Sequence, residues 1–427
     1  MHILFLTPNF PPEVNAGATR QYEHCRRWVA AGHRVTVITP APNWPTGEVY
    51  AGYENRWKSV ENLDGVRVVR VWTLVTANQG FLLRTFSFVS YMLRAALCAC
   101  FTRNVDVLVA TSPHFFAGLS GTLTRMITRR PFVLEIRDIW PESVVAVGAM
   151  RRSLVIRSLE WLERQMYASA THIVAVGDGY RDKLLERGVP RGKISVVTNG
   201  VDVESRPPGP ASEELRQYWN SDGKFVCAYV GTVGMAHGLQ VVVDAATKLA
   251  AQGRDDVVFW IVGDGAERAK LEEEARRRGL TNIRFFGLVS KQDVAHYVAR
   301  ANACLVHLRG TELFGTVIPS KIFEIMEAQT PIIMGVQGEA CDIVVNNNAG
   351  VEMTPDSADS LLNCINVVAS APERYRCGRD FIVQFYNRDS LAHGMLEILK
   401  KHGRREELIT DIVANEDEAA ADFRRAA

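Results

Sequence analysis

Several marks of common protein classes are missing from this sequence. Its eight cysteines are scattered through 427 residues, and no two stand in a Cys-x-x-Cys pair. That spacing excludes a zinc ribbon or a thioredoxin-type redox centre. It suits a reducing compartment, with Cys227 and Cys304, set in apolar runs, as small core residues. No Gly-x-Gly-x-x-Gly follows a candidate strand, so a nicotinamide fingerprint is absent. No Asp-x-Asp stands at a strand end to hold a divalent cation, and neither a metal nor a cofactor is expected. Excess charge is missing too: the net charge of +1 argues against nucleic acid as a partner. The longest apolar stretch, Phe81 to Phe101, is broken by Arg84 and Arg94, which makes a membrane-spanning helix costly. It fits either an interfacial helix or a helix buried against a sheet. The N-terminus, Met1 to Thr7, has no charged region before its apolar residues, so it reads as a first strand rather than a signal peptide. A cytoplasmic location is expected.

What is present is a long alternation of strand and helix patterns. In the first half, strands are expected at Ile3–Thr7, Arg34–Thr39, Val66–Trp72, Val105–Ala110, Phe132–Ile136 and Thr171–Val176, with Val196–Thr198 closing the half. Helices are expected at Ala18–Ala31, Phe81–Phe101, Phe116–Thr128 and Leu154–Ser169. Arg206-Pro207-Pro208-Gly209-Pro210 is a linker. The second half repeats the plan, with strands at Phe225–Val230, Val257–Val262, Ile283–Phe286, Ala303–His307 and Pro331–Gly335. Its helices are expected at Val241–Ala251, Glu267–Arg278 and, last, Tyr386–Lys401. Short β-branched strands between helices imply two doubly wound parallel sheets, each with its ligand site at the carboxyl ends of the strands. The expected layout is a domain over 1–205, a second over 211–380, a helical return over 381–403 and a charged tail over 404–427. Charge divides with the halves: residues 1–200 carry +9 and residues 201–427 carry −8. A basic first half suits an anionic membrane surface or a lipid-phosphate acceptor.

Four segments carry chemistry. Pro319-Ser320-Lys321-Ile322-Phe323-Glu324 starts a helix after a buried strand. Free N–H groups and Lys321 suit a phosphate there, and Glu324 could accept from sugar hydroxyls. A plain cap with solvated Lys and Glu fits the same residues. Gly231-Thr232-Val233-Gly234, with His237 beyond, follows the first strand of the second half. Its glycines allow close approach to a diphosphate or sugar, and His237 either bonds a phosphate or faces solvent. Arg137-Asp138-Ile139-Trp140-Pro141-Glu142 follows a strand as well. Asp138 could bind or deprotonate an acceptor hydroxyl while Arg137 holds a phosphate, or the two form an internal ion pair beside a Trp-Pro turn. The turn through Ala16-Gly17-Ala18 lets backbone approach an anion, or is simply a turn.

Taken in order, Ile173 to Gly177, Val196 to Asp202, Val262-Gly263-Asp264-Gly265, Gly279 to Ile283, Phe285 to Val289, the segment at 319–324 and Pro331-Ile332-Ile333 resemble glycosyltransferase family 4. The likeness reaches to about Lys401. It is nearest the bacterial exopolysaccharide and O-antigen enzymes and the colanic-acid-type N-acetylfucosamine transferases. The resemblance implies a GT-B fold: two Rossmann-like domains facing a central cleft, with the last helix crossing back. It implies a retaining, metal-independent transfer of a sugar, with a UDP donor and an N-acetylated sugar expected, onto a lipid-linked or growing polysaccharide acceptor. Peripheral contact with the inner face of the cytoplasmic membrane is an expectation from the basic first half. Carried over, Glu324 takes the ribose hydroxyls, Ser320 and Lys321 face the diphosphate, and backbone at Phe286, Gly287 and Leu288 meets the base. The Gly17 loop closes over the donor, and Asp138, with Arg137 and Trp140, lies on the acceptor side. Two departures stand out. The carboxylate usual eight residues before Glu324 is Thr316 here, so Glu312 would have to substitute. Thr232 and His237 replace the usual cations after the Gly231 strand, leaving that charge to Lys321 with Arg309. A nucleotide-sugar epimerase on the same architecture and a non-catalytic membrane-associated partner are the competing readings.

Overall fold

The computed structural model describes residues 1–404 except 45, 77–80, 113–114, 147, 149, 151–152, 203–210, 220 and 222. The expected linker at 206–210 and the tail beyond 404 lie outside the described residues.

The first sheet holds β1 (His2–Leu6), β2 (Arg34–Pro40), β3 (Lys58–Leu63), β4 (Val66–Val71), β5 (Val107–Thr111), β6 (Phe132–Ile136), β7 (His172–Ala175) and β8 (Ile194–Val196). Their order is β3-β4-β2-β1-β5-β6-β7-β8, parallel throughout except for β3, which pairs antiparallel with β4. The second sheet holds β9 (Phe225–Val230), β10 (Val257–Val262), β11 (Ile283–Gly287), β12 (Ala303–His307), β13 (Ile332–Gly335) and β14 (Gly350–Glu352). Its order is β11-β10-β9-β12-β13-β14, all parallel. The order reverses at β1 in one sheet and at β9 in the other, and a switch point of this kind opens a crevice at the carboxyl ends of the strands.

Val, Ile, Leu and Phe fill both faces of the central strands, and Ile3, Leu4, Val107, Leu108, Val226 and Trp260 are fully buried. Burial on both faces is why these strands read as continuous apolar runs rather than alternating ones. The helix Phe81–Phe101 buries Tyr91, Ala95 and Ala99 against the first sheet. None of the helices among the described residues is long and apolar enough to cross a membrane.

The final helix, Arg388–His402, starts two residues later than expected and, as expected, crosses back to pack on the first sheet. Met395, Leu396 and Leu399 join Ile3, Phe5 and Trp28 in one core, and the Trp28 indole N–H donates to the Ala392 carbonyl at 2.9 Å. The chain thus returns from the second sheet to the first. Two further contacts tie the halves. The Glu339 carboxylate accepts from the Asp178 N–H at 2.9 Å, at the start of helix Asp178–Glu186, and Lys183 pairs with Glu312 at 2.9 Å.

Several elements escaped the sequence reading. The β3 edge strand alternates exposed and half-buried residues and has no apolar run. Helices Asp178–Glu186, Glu339–Val345 and Arg379–Phe385 are each under ten residues and give little periodicity to read.

Candidate active site

A cavity of about 590 Å³ lies between the carboxyl ends of the two sheets. Asn15, Arg20, His24, Trp44 and Asn199 line it from the first sheet, and Gly231, His237, Asp264, Leu288, Lys321 and Glu324 line it from the second. Arg388 of the returning helix also lines it.

On the second-sheet side, two strand ends are pressed together. Gly231 (φ +135°) follows β9 and Gly263 (φ +134°) follows β10. A Cβ at Gly263 would sit 1.9 Å from the Gly231 carbonyl oxygen, so only glycine fits. A Cβ at Gly231 would meet Lys321 Nζ at 2.8 Å, so the missing side chain leaves room for that ammonium. Lys321 Nζ lies 4.0 Å from the centre of the Tyr229 ring, shut off from solvent and without a hydrogen-bond partner among the described residues. Burial pushes its pKa from 10.5 down to about 7. Ser320 precedes helix Lys321–Glu327 in helical backbone geometry and makes no side-chain cap. The plain N-cap expected as one option at Ser320 is therefore not formed.

Glu324 is half-exposed in the cleft, one turn into that helix, and Arg388 Nη2 lies 3.6 Å from its carboxylate. Arg388 Nε donates to the Gly200 carbonyl at 3.0 Å, so one guanidinium bridges the two halves. His237 lines the cavity as a neutral imidazole, its pKa brought down to about 3 by burial and by the Lys321 charge. A chain of hydrogen bonds holds its loop. The His237 carbonyl accepts from His307 Nδ1 at 2.7 Å, and His307 Nε2 accepts from the Asp356 N–H at 2.9 Å. The second bond places the His307 proton on Nδ1.

On the first-sheet side, helix Ala16–Ala30 begins at the cleft, with the Asn15 side chain accepting from the Ala18 N–H at 2.8 Å. Gly17 is therefore in the first turn of a helix, not in a loop. Its role is space: a Cβ there would lie 3.2 Å from Arg137 Nη1. Arg20 is buried and ion-paired with Glu135 at 2.9 Å, and it donates to the Val197 carbonyl at 2.9 Å. Thr111 Oγ1 donates to the other Glu135 oxygen at 2.7 Å. Burial works to raise the Glu135 carboxyl, but the Arg20 and Arg137 guanidiniums and these bonds hold it below the usual range. Burial takes His24 well below its ordinary value, and Arg20, Arg27, Arg388 and Arg137 add to the effect. This wall is electropositive. The buried Glu13 carboxylate accepts from the Asn43 and Trp44 N–H groups, both at 2.9 Å, and so anchors the loop that brings Trp44 and Tyr50 to the rim.

The structure thus gathers Gly231, His237, Leu288, Ser320, Lys321 and Glu324 around one cavity, with Gly17 and Arg137 adjoining. Other expected site residues stand apart. Asp138 does not line the cavity: Ser143 Oγ donates to its carboxylate at 2.9 Å, and burial pushes its pKa up to about 6. Trp140 is half-buried and packs against the core, its ring centre 4.7 Å from that of Phe115. Glu312 is turned outward to Lys183, which removes it as a substitute for the missing carboxylate. Thr316 donates to the Leu313 carbonyl at 2.7 Å, and its backbone lies against Gly179, at the contact between the halves. Arg309 is exposed outside the cavity. Gly234 sits behind His237. Phe286 packs edge-on to Trp260 and Tyr297, and Gly287 (φ +69°) turns the chain so that Leu288 reaches the cleft. Sequence reasoning missed Arg20, His24 and Arg388. The first two carry a signal in retrospect: polar residues four apart, on the same side of the helix as the core residues Cys25 and Trp28. Arg388 carries none, because only the returning helix brings it to Glu324. Among the described residues, no three His, Cys, Asp or Glu side chains group as metal ligands.

Residues 15–200 match the Glycosyl transferase 4-like domain, and residues 211–380 match the Glycosyl transferases group 1 domain. The glycosyl transferase WcaI of Escherichia coli K12, named for colanic acid biosynthesis, is 24% identical over 94% of this chain and 100% of its own length. A GDP-mannose-dependent alpha-mannosyltransferase of Mycobacterium tuberculosis is 27% identical over 90% of this chain and 94% of its own. Among solved structures, sucrose-phosphate synthase from Thermosynechococcus elongatus superposes with a TM-score of 0.73 at 17% identity, covering 94% of this chain and 98% of that one. Anabaena Alr3699/HepE in complex with UDP-glucose gives 0.70 at 17% identity, covering 94% and 100%. Two facing parallel sheets, a cleft at their carboxyl ends and two matched domains lead to one conclusion: the chain belongs to the group 1, family 4-like glycosyltransferases of the GT-B fold.

Proposed function

We propose that the protein moves a sugar from a UDP donor, with retention and without a metal, onto a lipid-linked saccharide in cell-surface polysaccharide synthesis. The observation that carries the donor site is Lys321: a buried ammonium with no partner among the described residues, facing a cleft beside two strand-end glycines. A diphosphate there supplies the missing counter-charge and restores the proton that burial disfavours. Glu324, three residues on, accepts from the ribose hydroxyls, and the base lies toward Asp264 and Leu288. UDP is preferred because the Anabaena structure, alike in fold, holds UDP-glucose. The acceptor is taken as lipid-linked and the location as the cytoplasmic face of the membrane, because the WcaI relative is named for an envelope polysaccharide. An N-acetylated sugar is the expected cargo.

In the reaction, the acceptor hydroxyl oxygen bonds to the sugar's anomeric carbon on the face from which the diphosphate departs. The bond from that carbon to the β-phosphate oxygen breaks, and the acceptor's proton passes to the leaving oxygen. Lys321 and the N–H groups beside it stabilise the charge that grows on the phosphate. His237 is neutral and donates or accepts without adding charge. With Asp138 and Glu312 outside the cavity, the electropositive wall of Arg20 and His24, with Arg388 beside it, takes the acceptor side. Thermal shift with UDP-, GDP- and dTDP-sugars tests the donor, because a bound donor raises apparent stability. Stabilisation by UDP-sugars, unchanged by EDTA, is expected. A clear GDP-sugar response with none from UDP-sugars retires UDP, and no response to any nucleotide overturns the donor site.

A further inference from the structure

A second cavity, about 540 Å³, lies under helix Phe81–Phe101, away from the cleft. Its floor includes His2, Arg34 and Arg67, at the amino ends of β1, β2 and β4, whereas the cleft lies at the carboxyl ends. Five cations line it: Arg34, Lys58, Arg67, Arg94 and Arg103, with no Asp or Glu. The acids on neighbouring segments already have partners. Glu61 pairs with Arg70 at 2.6 Å, and Asp106 accepts from the His2 N–H at 2.6 Å. Cys98 reports the convergence: burial raises its thiol pKa, and the Lys58, Arg94 and Arg67 charges pull it back. The Arg94 guanidinium lies over the Trp57 ring at 3.3 Å and donates to the Trp57 carbonyl at 3.1 Å, while its Nε is buried without a partner.

The mouth of this cavity is apolar. Trp57, Leu97 and Phe101 line it and are 68%, 48% and 79% exposed. On the same helix Leu83, Phe86 and Leu93 are also exposed. Steps of three, seven, four and four residues from Leu83 to Phe101 put all five on one face, opposite the buried Tyr91, Ala95 and Ala99. A cluster of like charges needs an anion, and an apolar stripe beside it needs an apolar medium.

We infer that this cavity binds the phosphate headgroup of an anionic bilayer lipid while the helix stripe enters the headgroup–acyl boundary. The occupant is a bilayer lipid rather than the acceptor's own lipid phosphate, because the cavity lies at the amino end of β1 and the cleft at its carboxyl end, about 13 Å apart along the strand. This rests on the membrane part of the proposed function and is independent of the donor chemistry. It gives the first-half charge excess a location: the enzyme lies with this face on the membrane.

Flotation with phosphatidylglycerol-containing and pure phosphatidylcholine vesicles tests it, with the UDP thermal shift as a second readout. The full-length protein should float with anionic vesicles and much less with neutral ones. Lys58→Ala with Arg67→Ala, both exposed and outside the cleft, should weaken partition about 30-fold, near fivefold for each cation, with the UDP shift unchanged. Phe101→Ser should weaken it separately. Wild-type protein that ignores anionic vesicles, or a double variant that floats as well as wild type, overturns the inference. So does stabilisation by inorganic phosphate through Lys58 and Arg67 without vesicle binding, which would mark a free-anion site. Vesicle binding without any nucleotide response sinks the donor reading and leaves this one standing.

Discussion

Replacing Lys321 by Met should move stability and activity in opposite directions. The buried ammonium has its pKa lowered from 10.5 to about 7, so the unfolded chain binds the extra proton between those values. Stability of the nucleotide-free protein therefore rises with pH from about 7 to 10.5, and at neutral pH the buried charge costs about 4–5 kcal/mol. Its contact with the Tyr229 ring returns about 2 kcal/mol. Methionine is close in volume, keeps the packing on Tyr229 and carries no charge. The net gain is about 2–3 kcal/mol, or roughly 5–10 °C in the melting of a domain of this size. Without the ammonium, the leaving diphosphate loses one stabilising cation, and turnover at saturating donor falls by about 2–4 kcal/mol of barrier, roughly 30- to 1,000-fold. Scanning calorimetry from pH 6 to 10, with nucleotide release as the turnover assay, measures both. A variant that melts below wild type without nucleotide, or one that turns over near the wild-type rate, refutes the reasoning.

Glu324→Ala should raise the UDP dissociation constant about 10- to 100-fold through lost charged hydrogen bonds, and an unchanged constant in calorimetric titration removes the ribose assignment. Glu135→Ala leaves the Arg20 charge buried without its partner, at a cost of about 3–5 kcal/mol; an unaltered denaturant midpoint contradicts the pairing. Gly263→Ala forces a Cβ against the Gly231 carbonyl at positive φ, so about 3 kcal/mol or more of stability and the UDP shift should both be lost. A Gly263→Ala protein that melts and binds like wild type denies that close approach.

The second-sheet half of the site was legible because it is local. Glycines at the ends of β9 and β10, and Lys321 and Glu324 one turn apart, are set by strand ends and helix period within short spans of chain. The acceptor side was harder to read. Arg137-Asp138 suggested a pair of working groups, but the turn after β6 sends the carboxylate to Ser143 and leaves only the arginine beside Gly17. Glu312 stood four residues from Thr316 and invited substitution for it, yet its backbone leads outward to Lys183. Spacing along a loop does not set direction, because no repeating dihedral ties one residue's orientation to the next.

By itself, the sequence determined two parallel α/β sheets, an N-terminal strand that opens the first, and a phosphate-suited helix start after a strand of the second. Apolar runs, glycine punctuation and helix periodicity act over a few residues and can be read from them. Only the tertiary structure decided that Arg388 bridges Gly200 and Glu324, that Arg20 and His24 face the cleft, and that Lys321 is left buried without a partner. It also decided that Arg34, Lys58, Arg67, Arg94 and Arg103, drawn from five separate stretches, surround one cavity. Burial and charge proximity are properties of chain segments brought together across long loops, and no single segment carries them.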